Sequence, residues 1–273
     1  MYLEKEALDF MKNYEINETF FQRFSSGNEG FFSSRRIGNS PEFEEYKDYF
    51  PQDNPKDIDW KKYARTERLL TKQYESYSHI KIHFILDISN SMNYPDDKFF
   101  YSKKFIALFS YLFLKEQNEI FLSCIGNSFI NCIKITLDSI EEIFSGILSE
   151  RIFNYEYLYN IKTMDINFLI SDGWWSKERE SILKLLFEKK INFIHVLSNQ
   201  EINIPYNSIL VDSEVNSEMT ILSQETIKKY VEKIEERKKF FYERFVKNNL
   251  FYFNIINNQP YYYSLKNLLD NLK

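Results

Sequence analysis

Glycine is scarce in this 273-residue chain: Gly27, Gly30, Gly38, Gly126, Gly146 and Gly173 are all it has. No spacing among them fits a phosphate-cradling loop or a dinucleotide fingerprint, which place glycines where the backbone closes on phosphate. No Gly-x-Ser-x-Gly elbow for an exposed nucleophile is present. Histidine is scarcer still: His79, His83 and His195 include no pair at metalloprotease spacing. Two cysteines, Cys124 and Cys132, cannot build a disulfide framework and read as reduced thiols. Residues 1–6 lack the basic start and apolar run of a secretory signal, so a cytoplasmic location is expected. The most apolar run, residues 105–114, is too short to span a bilayer. A formal net charge of −5 and a pI near 5.5 disfavour binding to nucleic-acid phosphates.

What is abundant is aromatic. Phe, Tyr and Trp make up 18% of the chain, so Phe and Tyr must build much of the core. The organising stretch is residues 81–92, Lys-Ile-His-Phe-Ile-Leu-Asp-Ile-Ser-Asn-Ser-Met. An apolar, partly β-branched run ends abruptly in Asp87-x-Ser89-x-Ser91, and a long apolar helix pattern follows. Strand, polar loop and helix open an α/β domain, and open α/β sheets bind ligands outside the carboxyl ends of their strands. One carboxylate and two hydroxyls in one loop suit a hard cation such as Mg²⁺. The plainer reading is that Asp87 caps a turn and the serines satisfy backbone groups.

The rest of the chain supports that class. Residues 1–24 carry a helical pattern, and 25–30 read as a loop. Periodicity assigns nothing over 31–60; a short helix over 61–68 and a strand over 69–74 are expected next. Strands are expected at 80–86, 120–125, 165–171, 191–197, 208–211 and 250–256, and 128–135 pairs back on 120–125 as a hairpin. Helices are expected at 95–115, at 138–148 capped by Asp138, at 176–190, at 223–248 and at the C-terminus. Alternating strands and helices from residue 80 predict a mostly parallel sheet covered on both faces. The division expected is an N-terminal arm, 1–78, and a sheet domain, 79–273.

Several of these residues together resemble the domain-of-unknown-function 58 family, built around a von Willebrand factor A-type domain. They are Arg35-Arg36-x-Gly38, Glu42-Phe43, Asp53-x-Pro55-x-x-Ile58-Asp59-Trp60, Ala64-Arg65, Tyr74-Glu75, Leu86-Asp87-x-Ser89-x-Ser91-Met92, Ile170-Ser171-Asp172 and Asp212-x-Glu214. The resemblance implies a Rossmann-like fold with a metal-ion-dependent adhesion site. Asp87, Ser89, Ser91 and Asp172 would hold Mg²⁺ or Mn²⁺, and a partner's acidic side chain could complete the shell. The family's threonine ligand has no matching position; Ser149, Asn154 and Thr163 are the candidates between Gly146 and Asp165. The resemblance also implies a partner, an AAA+ ATPase of MoxR type, and an adaptor or co-chaperone role towards an unknown client. Many members of that family begin with two membrane helices, whereas this sequence has no expected membrane span and no recognisable catalytic constellation.

Two other functions remain open at this point. Asp87 could serve a metal-dependent phosphoryl hydrolase as nucleophile, although Ser89 stands where such enzymes carry a second acid. The domain could also be a scaffold with a vestigial metal site. Trp174 and Trp175, beside Asp172, suit a partner anchor or packing on a neighbouring helix. Trp60 reads as a packing wedge, and Asp59 as a cap or a partner of Arg65. His83 and His195 read as hydrogen-bonded core histidines, and Tyr155, Tyr157 and Tyr159 as packing residues.

Overall fold

The computed structural model describes residues 3–12, 14, 20, 42–50, 55–75, 80–94, 97–150, 153–175, 179–205, 209–212, 217–220 and 224–271. The expected loop at 25–30, Arg35, Arg36, Gly38, Asp53, Pro95, Asp96 and Glu214 lie outside them. The chain divides into two compact units, residues 1–24 with 80–273, and residues 25–79. This differs from the division at residue 78. Helix α1 (Lys5–Met11) buries Ala7 and Met11 in the same hydrophobic core as the sheet, so its apolar face belongs with the larger unit.

The smaller unit is built on an antiparallel pair, β1 (Glu42–Asp48) and β2 (Leu70–Glu75). Helix α2 (Trp60–Thr66) lies between them in sequence. Asp59 is its N-cap, as one of the two sequence readings had it. Its Oδ1 accepts the Lys61 and Lys62 amides at 3.0 Å each, and its Oδ2 accepts the Tyr46 hydroxyl at 2.9 Å. Trp60 is no wedge: its side chain is 61% exposed and meets Tyr63 edge-on.

The larger unit carries a six-stranded sheet. Its strands are β3 (Lys81–Asp87), β4 (Glu119–Ile125), β5 (Phe129–Ile135), β6 (Ile166–Ser171), β7 (Ile191–Leu197) and β10 (Tyr252–Ile256), in the order β10-β7-β6-β3-β4-β5. Only β5 runs antiparallel. A separate hairpin, β8 (Ile209–Asp212) with β9 (Ser217–Thr220), takes up the residues expected as one short strand. The order reverses at β3: the chain proceeds outward through β4 and β5, then returns to β6 on the other side. That arrangement, helices on both faces included, is the Rossmann-like von Willebrand factor A-type fold that the resemblance implies, and the β3/β6 border is its topological switch point.

Both faces of the sheet are covered. Helices α1, α3 (Lys98–Lys115), α4 (Ile140–Gly146) and α8 (Tyr261–Asn271) contribute to one core; α5 (Arg179–Glu188) and α7 (Gln224–Lys247) contribute to the other. Helix α3 buries most of its residues between Phe99 and Phe113, with Phe100 exposed, so it packs on the sheet and is itself largely covered by neighbouring helices. Asp97 starts it by accepting the Phe100 amide at 2.7 Å, and the chain leaves it through Gln117 at φ 61°. On that side Phe84, Phe109, Phe113 and Phe168 form a packed aromatic group, with Phe109 and Phe113 stacked at 4.2 Å. Each such ring contributes about 2–3 kcal/mol through burial. Helix α4 starts at Ile140, and its N-cap is Ser139, not Asp138.

Candidate functional site at the strand ends

The site is made where β3 and β6 stop. Asp87 ends β3 and is 1% exposed. Its Oδ1 accepts the Ser89 amide at 2.9 Å, a short turn that bends the chain off the sheet. Its Oδ2 accepts the Ser171 hydroxyl at 2.6 Å, tying the end of β3 to the end of β6. The Ser89 and Ser91 hydroxyls lie 3.1 Å apart and share a hydrogen bond. Burial, then the neighbouring Asp172 carboxylate, push the Asp87 carboxyl up to about 7, against the hydroxyl and amide donors that lower it.

One residue beyond β6, Asp172 is also 1% exposed. Its Oδ1 accepts the Trp174 amide at 3.3 Å and its Oδ2 meets the Lys98 ammonium at 3.0 Å. Lys98 is fully buried at the first position of α3, and its other carboxylate partner is Glu201 at 2.7 Å. Burial lowers the Lys98 pKa, but the two carboxylates outweigh it and hold the ammonium above the ordinary lysine value. Glu201 sits on α6 (Asn199–Ile202) in a capping box: its Oε2 accepts the Ser198 amide at 2.8 Å. Its Oε1 also accepts the Trp174 indole N–H at 3.3 Å.

Gly173 makes the exit from β6 possible. Its φ is +68°, and a Cβ there would meet the Phe241 ring at 3.0 Å. Behind the turn, neutral His195 donates from Nε2 to the Asp172 carbonyl at 2.9 Å and accepts the Tyr252 hydroxyl on Nδ1 at 2.8 Å. Burial lowers its pKa to about 3. His83, on β3, has the two ring roles exchanged, Nδ1 donating to the Lys162 carbonyl at 3.0 Å and Nε2 accepting the Ser123 hydroxyl at 2.8 Å, and burial lowers it to about 4. Both are core histidines, as the sequence reading had them.

The two tryptophans part company. Trp175 is 6% exposed and packs among Phe153, Phe193 and Phe241. Trp174 is half-buried: the Arg237 guanidinium lies 3.5 Å over its ring and the Tyr230 ring stacks on it at 6.1 Å.

Asp87, Ser89, Ser91 and Asp172 therefore do converge at one place. The threonine candidates do not join them as ligands. Ser149 accepts the Asn93 amide group at 2.6 Å, Asn154 caps a short 3-10 helix, and Thr163 is exposed. Among the described residues no group of three or more His, Cys, Asp or Glu is arranged to hold a metal ion. The donor set does not fit a resident divalent ion. Asp172 already faces the Lys98 ammonium, which repels a second cation.

Sequence reasoning missed Lys98, Glu201 and Arg237. Two signals were there. Ser198-x-x-Glu201 is a capping-box pattern. Lys98 is a cation in the first turn of a helix, where the macrodipole disfavours positive charge and something must offset it.

Fold and strand-end site together define an α/β domain with a mostly parallel sheet covered on both faces and a buried charged cluster at the carboxyl ends of its strands. No protein-family model matches the chain. No curated protein matches it. Among solved structures it is similar to an aerotolerance-related membrane protein from Bacteroides fragilis NCTC 9343 with multiple mutations to serines. The identity is 12% and the TM-score 0.37, over 70% of this chain and 99% of that one. It is also similar to the SpRpn10 VWA domain, at 10% identity and a TM-score of 0.39, over 70% of this chain and 95% of that one. No residue role is carried over from either. Among the described residues no helix is long and apolar enough to cross a membrane.

Proposed function

We propose that this chain is a protein-interaction module that presents the loops following β3, β6 and β7 to a partner. The observation that carries this reading is the half-buried stack of Trp174 with Arg237 and Tyr230, on a turn braced from beneath by Asp172, Lys98 and Glu201. Trp, Tyr and Arg are the residue types that dominate binding at protein interfaces, and they do so best when held rigidly. Tyr94, 49% exposed just after the Asp87-x-Ser89-x-Ser91 loop, adds apolar surface.

The finer reading follows the family resemblance. The partner is an AAA+ ATPase of MoxR type, the compartment is the cytoplasm, and the chain acts as an adaptor towards a client protein. The hydrolase reading gains no support from the geometry: both Asp87 oxygens are hydrogen-bonded, the residue is 1% exposed, and Ser89 cannot act as the second acid.

The test is capture of a MoxR-type ATPase by the full chain, with Trp174→Ala as control. The expected result is binding that Trp174→Ala weakens by about tenfold or more, the loss typical of an anchor residue. Absence of binding rejects the ATPase as partner. Binding that Trp174→Ala leaves untouched rejects this surface.

A further inference from the structure

We propose that the Lys98 ammonium is the resident cation of the strand-end site, in the place that an Asp-x-Ser-x-Ser site gives to a divalent ion. This inference stands on the site's internal geometry and holds whichever partner the loops bind.

Three observations carry it. First, Lys98 is fully buried, with its ammonium 3.0 Å from Asp172 and 2.7 Å from Glu201, which are 1% and 6% exposed. A buried ammonium between two carboxylates has one electrostatic role, to neutralise them. Second, one carboxylate comes from the loop after β6, which a bridging ion would have to join to the loop after β3, the other comes from the short helix after β7, and Lys98 comes from the helix that follows β3. The ammonium therefore ties three strand ends together. Third, the neighbouring positive group is also the chain's own: Arg237 lies over Trp174, whose amide and indole N–H donate to Asp172 and Glu201 respectively. Lys98 and Arg237 thus match Asp172 and Glu201 charge for charge.

The consequence is functional. A divalent ion with an open position can take a carboxylate from a partner; a buried ammonium cannot. Recognition at these loops would then rest on the Trp174 surface and would not need a metal.

The experiment is thermal unfolding of the full chain in chelator and across millimolar Mg²⁺ and Mn²⁺. An ion that binds only the folded state must raise the midpoint by mass action. The expected result is one midpoint throughout; a dose-dependent rise would overturn the proposal. In chelator, Lys98→Met is expected to lower the midpoint by on the order of 10 °C. A midpoint equal to that of the wild type would also overturn it. The paired variant Lys98→Met with Glu201→Gln removes one charge of each sign, and it separates charge from packing if the single variant fails to fold. It is expected to fold and to melt above Lys98→Met; no recovery would show that Lys98 acts by packing and not as a cation.

Discussion

Asp87 and Asp172 sit at the ends of neighbouring parallel strands and are equally buried, yet the chain holds them by opposite means. Asp87 meets neutral donors, the Ser89 amide and the Ser171 hydroxyl, and its carboxyl is pushed up to about 7. Asp172 meets an ammonium, which a second carboxylate shares. A buried carboxylate can be held by neutral hydrogen-bond donors or by a cation, and this strand edge uses one of each. The difference shows how two acids share one buried strand edge: only one of them is paired with a fixed counter-charge.

The comparison can be broken hardest at Lys98. Denaturant unfolding of Lys98→Met should show a loss of about 3–5 kcal/mol, because two buried carboxylates are left without their cation. The paired change on the other side, Asp87→Asn, removes no ion pair and should leave the protein at least as stable as the wild type at neutral pH.

Acid gives the next largest effect. His83 and His195 are held below their ordinary value, at about 4 and about 3. Below pH ~6.5 the unfolded chain takes up protons that the folded histidines refuse. Their contribution is therefore present above that pH and is lost as pH falls towards 4 and then 3. His83 alone is expected to cost about 3 kcal/mol over that window. Asp87 runs the other way: its folded value lies above its unfolded one, so its contribution is full in acid and is lost as pH rises through about 7. Stability measured across pH should pass through a maximum on the weakly acid side of neutrality. Asp87→Asn should flatten its alkaline limb and steepen the acid limb, because the Asp87 loss runs from about pH 4 to about 7 against the histidine gain.

A smaller effect sharpens the same picture. Gly173→Ala puts a side chain at φ +68° and against Phe241, and should cost about 2 kcal/mol in equilibrium unfolding. It should also weaken binding at the loops, because Trp174 is held by this turn.

The sheet was largely legible in the sequence because its strands are buried on both faces. Residues 82–86, 166–171 and 191–197 are nearly continuous apolar runs, and each ends in a polar residue at the same edge. The β1/β2 pair and the β8/β9 hairpin were not, or only in part. Strand β1, Glu-Phe-Glu-Glu-Tyr-Lys-Asp, is charged and lacks the apolar alternation that marks a core strand. At the site, Asp87, Ser89, Ser91 and Asp172 are close in sequence to strand ends and could be read there. Lys98 and Glu201 lie 103 residues apart and meet only because α3 starts under the β6 and β7 loops. A lysine in a helix's first turn reads as a surface residue until the fold shows two carboxylates around it.

The most direct measurement is equilibrium dialysis of the full chain against Mn²⁺, with Asp87→Asn beside it. The account predicts no saturable binding in either protein at concentrations that fill oxygen-ligand sites. One ion bound per wild-type chain, lost in Asp87→Asn, would contradict it and place a metal where Lys98 is assigned.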